Sequence, residues 1–377
     1  MKISGYSTSR NAKTMGYPFV EAIKSLFNIV DEIVICDTSN DIETKKSLKD
    51  LKSLFEVTEN KKFSIIEPEV DWNAPNHGIY DGETKAIARK NCTGDYLIQL
   101  DLDEIFVGTR SQVEDMIKKG NLNKDNPVLA LPVAEPWGSS GKIRVDINPW
   151  KERISLNDPN ITHGIPNSHR KYINNLLFAE PGTDGCNLIY KNSGIVVPIL
   201  NFVSTEINQI RNQAITNVSF VPIYEKWFNK ITDKMPYIFH LSWWSVYQKM
   251  LKYKLFWNNS WNSLYGNQQP KDYNQFFNKS FTEITEQEMV IAALKIEEET
   301  SGHIFHAPYI SGISPKTNSI ILHKNIPNIV QNWCNDNKTE KFMYPNCPKC
   351  GRHDFGIDNK CPKCDNNLTR IIQNYDK

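Results

Sequence analysis

The segment Leu97-Ile98-Gln99-Leu100-Asp101-Leu102-Asp103-Glu104 holds the residues best suited to chemistry. Its apolar run predicts a buried strand, closed by two carboxylates one residue apart. Along a strand, side chains at i and i+2 point to one face. Asp101 and Asp103 are therefore expected to converge on one hard cation, with Glu104 turned away. Mg2+ and Mn2+ prefer carboxylate and phosphate oxygens, so such a pair suits a metal–nucleotide complex. In an open α/β sheet, ligands bind outside the carboxyl ends of the strands. Acidic residues also close strands simply because turns are solvated, so context must decide.

A second constellation lies near the end of the chain. Cys347, Cys350, Cys361 and Cys364 follow the pattern C-x2-C-x10-C-x2-C. Two turns that each give two thiolates supply a closed tetrahedral Zn2+ site, structural and not catalytic. So short a segment has little core of its own, so zinc would supply much of its folding energy. Lys349, Arg352, Lys360 and Lys363 make it mildly basic, and such ribbons bind proteins or nucleic acids, or only cap a domain. Of the other cysteines, Cys36 lies in an apolar run and is expected in the core. With no secretion signal at Met1–Tyr6, reduced thiols and a metal are expected in place of disulfides.

The 377 residues carry a net charge of +1, with 40% hydrophobic and 23% charged residues. That is enough chain for two domains, or one large domain with an appendage. The near-neutral balance does not support wholesale nucleic-acid binding. The longest apolar stretch, Ile195–Val203, contains Pro198 and Asn201 and is too short to span a bilayer. The expectation is a soluble, cytoplasmic protein, or one peripheral at a membrane.

The first 110 residues alternate strand and helix signals. Helices are predicted over 17–27, 42–55 and 82–91, and strands over 31–37, 62–66 and 96–101. This order implies a mainly parallel sheet. Val128–Ala134 is strand-like, but 127–203 otherwise reads as irregular and turn-rich. Residues 206–299 read as helical and aromatic, with Trp227, Trp243, Trp244, Trp257 and Trp261; 304–333 reads as loop with a strand at Ser319–Leu322. Lys85 and Arg89 lie four apart and share a helix face.

In this order the motifs resemble family 2 glycosyltransferases with the GT-A fold. Ser9-Arg10-Asn11 is similar to the "R-N-E" after the first strand. Val30–Asp37 is similar to "V-D-E-I-V-V-x-D", and Thr93-Gly94-Asp95-Tyr96 leading into Leu100–Glu104 is similar to "G-D-Y-I-L-x-L-D-A-D-E". The resemblance spans roughly residues 1–205 and extends more loosely over the helical segment. It implies that Asp37 contacts a nucleotide base and that Arg10, Lys85 and Arg89 approach the donor. It further implies that Asp103 ligates Mn2+ or Mg2+, while Asp101 contacts the ribose or the metal through water. His240, in Tyr237–Trp244, resembles a late segment whose histidine completes the metal or diphosphate site.

The chain departs from the family in two places. Asp37-Thr38-Ser39-Asn40-Asp41 is shorter than the usual "D-x-G-S-x-D" and lacks its glycine. The "E-D" base motif is not evident. Asp184, in Gly182-Thr183-Asp184-Gly185-Cys186, falls where that motif would and is the leading candidate base, with Glu180 and Glu135 as alternatives. His163 and Trp137 are candidates for the acceptor pocket.

The expected architecture is therefore a GT-A, Rossmann-like catalytic domain over 1–205. A helical extension completing the site follows over 206–340, and a zinc ribbon over 341–377. The expected activity is inverting, metal-dependent transfer of a sugar from a nucleotide diphosphate. The acceptor, entering from the Pro132–Asp184 side, would be a saccharide, a lipid-linked group or a protein. One alternative is a non-catalytic binding protein that works through its ribbon. A sugar-phosphate nucleotidyltransferase is the other, disfavoured because Ser7–Asn11 contains no glycine.

Overall fold

The computed structural model describes residues 1–70, 77–136, 142–173, 176–179, 185–245, 247, 285, 288–289, 319–321 and 327–336. The four cysteines of the tail, Trp137, Glu180, Asp184, Trp257 and Trp261 lie outside the described residues.

Four parallel strands form the first half of the main sheet: β1 (Ile3–Ser9), β2 (Glu32–Asp37), β3 (Lys62–Ile66) and β4 (Tyr96–Gln99). The connecting helices are α1 (Phe19–Lys24), α2 (Ile42–Thr58) and α3 (His77–Lys90). The helical period explains why α2 buries Thr44, Leu48, Leu51 and Phe55. Phe55 packs between Phe27 and Phe63, with ring centroids 4.8 and 6.0 Å apart, tying the helix layer to the sheet. Helix α1 is shorter than the predicted 17–27 because Pro18 stands at its N-cap and the chain turns after Ser25.

Several motif residues turn out to hold this half together. Buried Glu32 accepts hydrogen bonds from Ser4 Oγ at 2.5 Å and from Thr93 N and Oγ1. Gly94 lets its backbone close on β1, since a Cβ there would lie 2.6 Å from Ser4 Oγ. Asp31 is clamped by both terminal nitrogens of Arg110, at 2.8 and 2.9 Å; Arg110 opens α4 (Arg110–Lys119).

The second half departs from the expectation of an irregular 127–203. It contains β5 (Glu104–Val107), β6 (Val128–Ala134), β7 (Lys142–Arg144), β8 (Trp150–Leu156), β9 (Ile161–His163), β10 (Arg170–Ile173), β11 (Leu176–Ala179), β12 (Leu188–Tyr190) and β13 (Ile199–Leu200). Helices α5 (Thr205–Thr216) and α6 (Val221–Lys234) then lead into β14 (Tyr237–His240). The sheet order is β3-β2-β1-β4-β8-β6-β14-β5, with β13 beside β6. β8 runs antiparallel to both β4 and β6, and β14 runs parallel to β6 and antiparallel to β5. The result is a mixed α/β fold with a mostly parallel sheet. Because β14 is interior to that sheet, the sheet continues past the predicted boundary at residue 205. The predicted strand at Ser319 is present as β15 (Ser319–Ile321), paired with β7, but the predicted loop ends instead in helix α7 (Asn328–Asp336).

Candidate active site

β1, β2, β4, β6 and β14 all point the same way, because β8 is antiparallel to its neighbours on both sides. Their carboxyl ends therefore lie along one edge. That edge carries Arg10, Asp37, the Asp101–Asp103 turn, Glu135 and His240, each at or just beyond the end of its strand.

The first corner is built by Asn11 and Ser39. Asn11 has φ = 49°, a left-handed conformation that asparagine tolerates. Its Oδ1 accepts from Asn40 N at 2.8 Å and Asp41 N at 3.2 Å, and its own N donates to Ser39 Oγ at 2.7 Å. Asp41 is the N-cap of α2, accepting from Thr44 N at 2.5 Å, which accounts for its place in the shortened motif. Asp37 is buried, and its Oδ1 accepts from Ser39 Oγ at 2.6 Å. Its Oδ2 is buried with no hydrogen-bond partner. Arg10 is half-buried beside Asp81, and burial brings its guanidinium down to about 10 against the pull of that carboxylate.

The turn after β4 corrects the expected geometry. β4 ends at Gln99, and Glu104 N donates to Asp101 O at 3.0 Å, so residues 101–104 form a turn and strand alternation does not apply. Asp101 and Asp103 engage different partners. Asp101 Oδ1 lies 2.7 Å from Lys85 Nζ and accepts from Gln99 Nε2 at 2.8 Å, while Oδ2 lies 3.0 Å from an Arg153 terminal nitrogen. Both oxygens are engaged, which makes Asp101 a poor direct metal ligand. Burial would raise its pKa, but Lys85 and Arg153 hold it well below the usual carboxylate range. Glu104, expected to turn away, joins the same cluster: Arg153 reaches it at 2.6 and 2.8 Å and Lys151 at 3.0 Å.

Lys151 and Arg153 belong to β8, a strand absent from the sequence reading. In Trp150-Lys-Glu-Arg-Ile-Ser-Leu156 the alternation is broken by a β-bulge. Leu129 pairs with Ile154 while Ala130 pairs with Glu152, so Arg153 is the extra residue. Bulges re-aim side chains, and here Arg153 is directed onto Asp101 and Glu104.

The second corner is built by β14. Its register sets His240 opposite Glu104 on β5, and Phe239 opposite Ala134 on β6, next to Glu135. His240 Nδ1 lies 2.7 Å from Glu135 Oε2, and Nε2 lies 3.6 Å from Asp103 Oδ1. Burial and Lys151 oppose protonation of the ring, but Glu135 and Asp103 outweigh them and raise its pKa. Glu135 is 3% exposed and engaged by His240, with Arg144 3.8 Å away. Among the described residues its carboxylate is therefore buried against His240, which tells against its reading as an alternative base.

The donor-approaching role expected of Arg89 is also corrected. Its guanidinium donates to Ser155 Oγ at 2.7 Å, Leu156 O at 2.7 Å and Ile161 O at 3.2 Å, tying α3 to β8 and β9. His163 is likewise internal. Its Nδ1 lies 2.6 Å from Cys186 O, which can only accept, so Nδ1 carries the proton and Nε2 accepts from Tyr6 OH at 2.6 Å. Burial, with Lys85 and Arg89 nearby, holds the ring neutral. Lys85 Nζ is also 2.6 Å from Cys186 Sγ. Gly82 permits this packing, since a Cβ there would lie 2.8 Å from Gly185 O. The chain just after Asp184 therefore packs against α3 beside the Asp101 cluster.

Among the described residues no group of three or more His, Cys, Asp or Glu side chains is arranged to hold a metal ion. Asp103 and His240 form a two-donor set at the strand edge. Such a set fits a Mg2+ or Mn2+ whose other ligands are phosphate oxygens and water. A shallow open depression adjoins Asp103, lined by Tyr17, Pro18, Leu241, Trp244 and Trp333 among others. Among the described residues no helix is long and apolar enough to cross a membrane.

No family model and no curated protein matches the sequence. Among solved structures, the chain is similar to S. aureus TarS 1-349 at 13% identity and TM-score 0.32, covering 70% of this chain and 80% of that one. The same protein in complex with UDP aligns at 12% identity and TM-score 0.30, covering 81% and 87%. The mannosyltransferase PcManGT from Pyrobaculum calidifontis, in complex with GDP-Man and Mn2+, aligns at 10% identity and TM-score 0.29, covering 41% and 44%. Likeness at this level defines no family for the chain.

Proposed function

We propose that the protein is a glycosyltransferase that moves a sugar from a nucleotide diphosphate to an acceptor hydroxyl with inversion. The observation that carries this reading is the placement of Asp37, Asp103 and His240 on one edge of a mostly parallel sheet, where such folds bind nucleotides. The unpartnered Asp37 Oδ2 would accept an N–H of the base, and Arg10 would flank the nucleotide. Asp103 and His240 Nε2 would hold a divalent cation together with the donor diphosphate. That cation would neutralise charge on the leaving group. Asp101 holds Lys85 and Arg153 in place at the turn.

In the transfer, the acceptor oxygen bonds the anomeric carbon while the bond from that carbon to the diphosphate oxygen breaks. A carboxylate takes the acceptor proton. Asp184 is our candidate for that base. Its neighbours support the reading, with Gly185 packed against Gly82 and Cys186 against Lys85. The tail cysteines, as a structural zinc site, would add a surface for a protein partner.

A thermal-shift screen of nucleoside diphosphates, with and without Mn2+, tests the proposal on wild type and Asp103→Asn. A Mn2+-dependent shift with one nucleotide, lost in the variant, supports it and names the donor class. No shift with any nucleotide overturns it in favour of a binding protein.

A further inference from the structure

We infer that Lys85 and Cys186 form a modification site, at which a peroxide joins Lys85 Nζ to Cys186 Sγ through one oxygen atom. The bridge itself is independent of the proposed function; its effect on nucleotide binding rests on that function.

Lys85 Nζ lies 2.6 Å from Cys186 Sγ. Sulfur is larger than oxygen, yet this is closer than the usual N–H···O separation of about 2.7–3.2 Å. It is the span that nitrogen and sulfur adopt on either side of a shared oxygen. Both atoms are held in place. Lys85 is buried on α3, with Asp101 Oδ1 2.7 Å from its Nζ. Cys186 O accepts from His163 Nδ1 at 2.6 Å, and Gly185 closes on Gly82, one helical turn before Lys85. Oxidant has access because Cys186 is only half-buried, and thiols beside cations are the reactive ones. Arg153 is a second cation that senses charge on this sulfur. Cys36 and Cys92 lack these features: both are buried among apolar side chains, and burial pushes their thiols up to about 12.

The chemistry balances with two molecules of hydrogen peroxide. The first gives one oxygen to the sulfur, forming a sulfenic acid and water. An N–O bond then forms between Lys85 Nζ and the sulfenic oxygen. That step removes one hydrogen from nitrogen and one from oxygen, and the electron pair released reduces the second peroxide to two waters. The extra proton of the ammonium passes to solvent. Lys85 is neutral once bridged, so Asp101 loses one of the two cations that touch it. The chain just after Asp184 is at the same time pinned to α3. The strand edge thereby loses a positive charge that favours an anionic nucleotide.

The test is peptide mass spectrometry of the full-length protein before and after dilute hydrogen peroxide. Treated wild type should yield the Lys85 and Cys186 peptides joined, with a mass one oxygen greater and two hydrogens less than their sum. Dithiothreitol should release them, and Lys85→Arg and Cys186→Ser should lack the product. Cys186 oxidised with Lys85 unmodified, a join without the oxygen, or both residues unchanged overturns the inference. The wild-type spectra decide this whether or not the variants fold. In a second arm, the Mn2+-dependent thermal shift is measured with the nucleoside diphosphate selected by the screen. Peroxide should reduce that shift in wild type, dithiothreitol should restore it, and Cys186→Ser should not respond to peroxide. A shift unmoved by the bridge overturns the consequence for nucleotide binding. If the screen selects no nucleotide, the proposed function fails while the mass reading stands.

Discussion

Glu104 and Arg153 form a two-pronged ion pair sealed from solvent, with Nε 2.8 Å from Oε2 and a terminal nitrogen 2.6 Å from Oε1. Their side chains are 0% and 6% exposed. Removing one member of such a pair leaves an uncompensated buried charge. Glu104→Gln should therefore cost about 3–5 kcal/mol, read from the urea midpoint at neutral pH. Its neighbour Asp103 should behave in the opposite way. Asp103→Asn should barely move that midpoint, yet lower transfer by about 10²–10³-fold. Equal stability losses in the two variants would refute this division between structural and functional carboxylates.

Acid should weaken the fold through the same cluster. Asp101 and Glu104 are held below the usual carboxylate range; burial works against this, and Lys85, Arg153 and Lys151 outweigh it. A depressed folded pKa contributes stability above the unfolded value, and that contribution is lost as pH falls through the folded one. Unfolding free energy should thus drop steeply below about pH 4. Glu104→Gln should flatten that slope; an unchanged slope would place the acid-sensitive groups elsewhere.

Asp37 offers a separable test of base recognition. Its Oδ2 is buried without a partner, so Asp37→Asn loses no hydrogen bond made by that oxygen in the free protein. The nucleotide-free melting temperature should stay level or rise, while the nucleotide-induced shift falls. A variant that loses stability but keeps full nucleotide affinity would remove Asp37 from the donor site.

The tail should carry one zinc per chain. Elemental analysis of freshly purified protein is expected to find it, and Cys350→Ser to lower it, while Cys36→Ser leaves it unchanged. Absence of zinc from wild type would dismiss the four-cysteine reading.

Much of the first half was legible in the sequence because its signals are local. Apolar runs marked β2, β3 and β4, the family resemblance implied a strand before Arg10, the helical period marked α2, and Asp37 and Asp103 lie at or just beyond strand ends that follow from those runs. The structure adds two local details there, Asp41 as the cap of α2 and Asn11 in a left-handed turn. Only the tertiary structure decided the rest. The bulge that aims Arg153 arises from pairing with Leu129 and Ala130, so no period in β8 itself reveals it. Arg89 sits on a plausible helix face, but distant carbonyls at Leu156 and Ile161 consume its donors. Glu135 and His240 are 105 residues apart and meet because β14 enters the sheet between β6 and β5. Local composition determines which strands end in carboxylates; long-range strand pairing determines which of those carboxylates face one another.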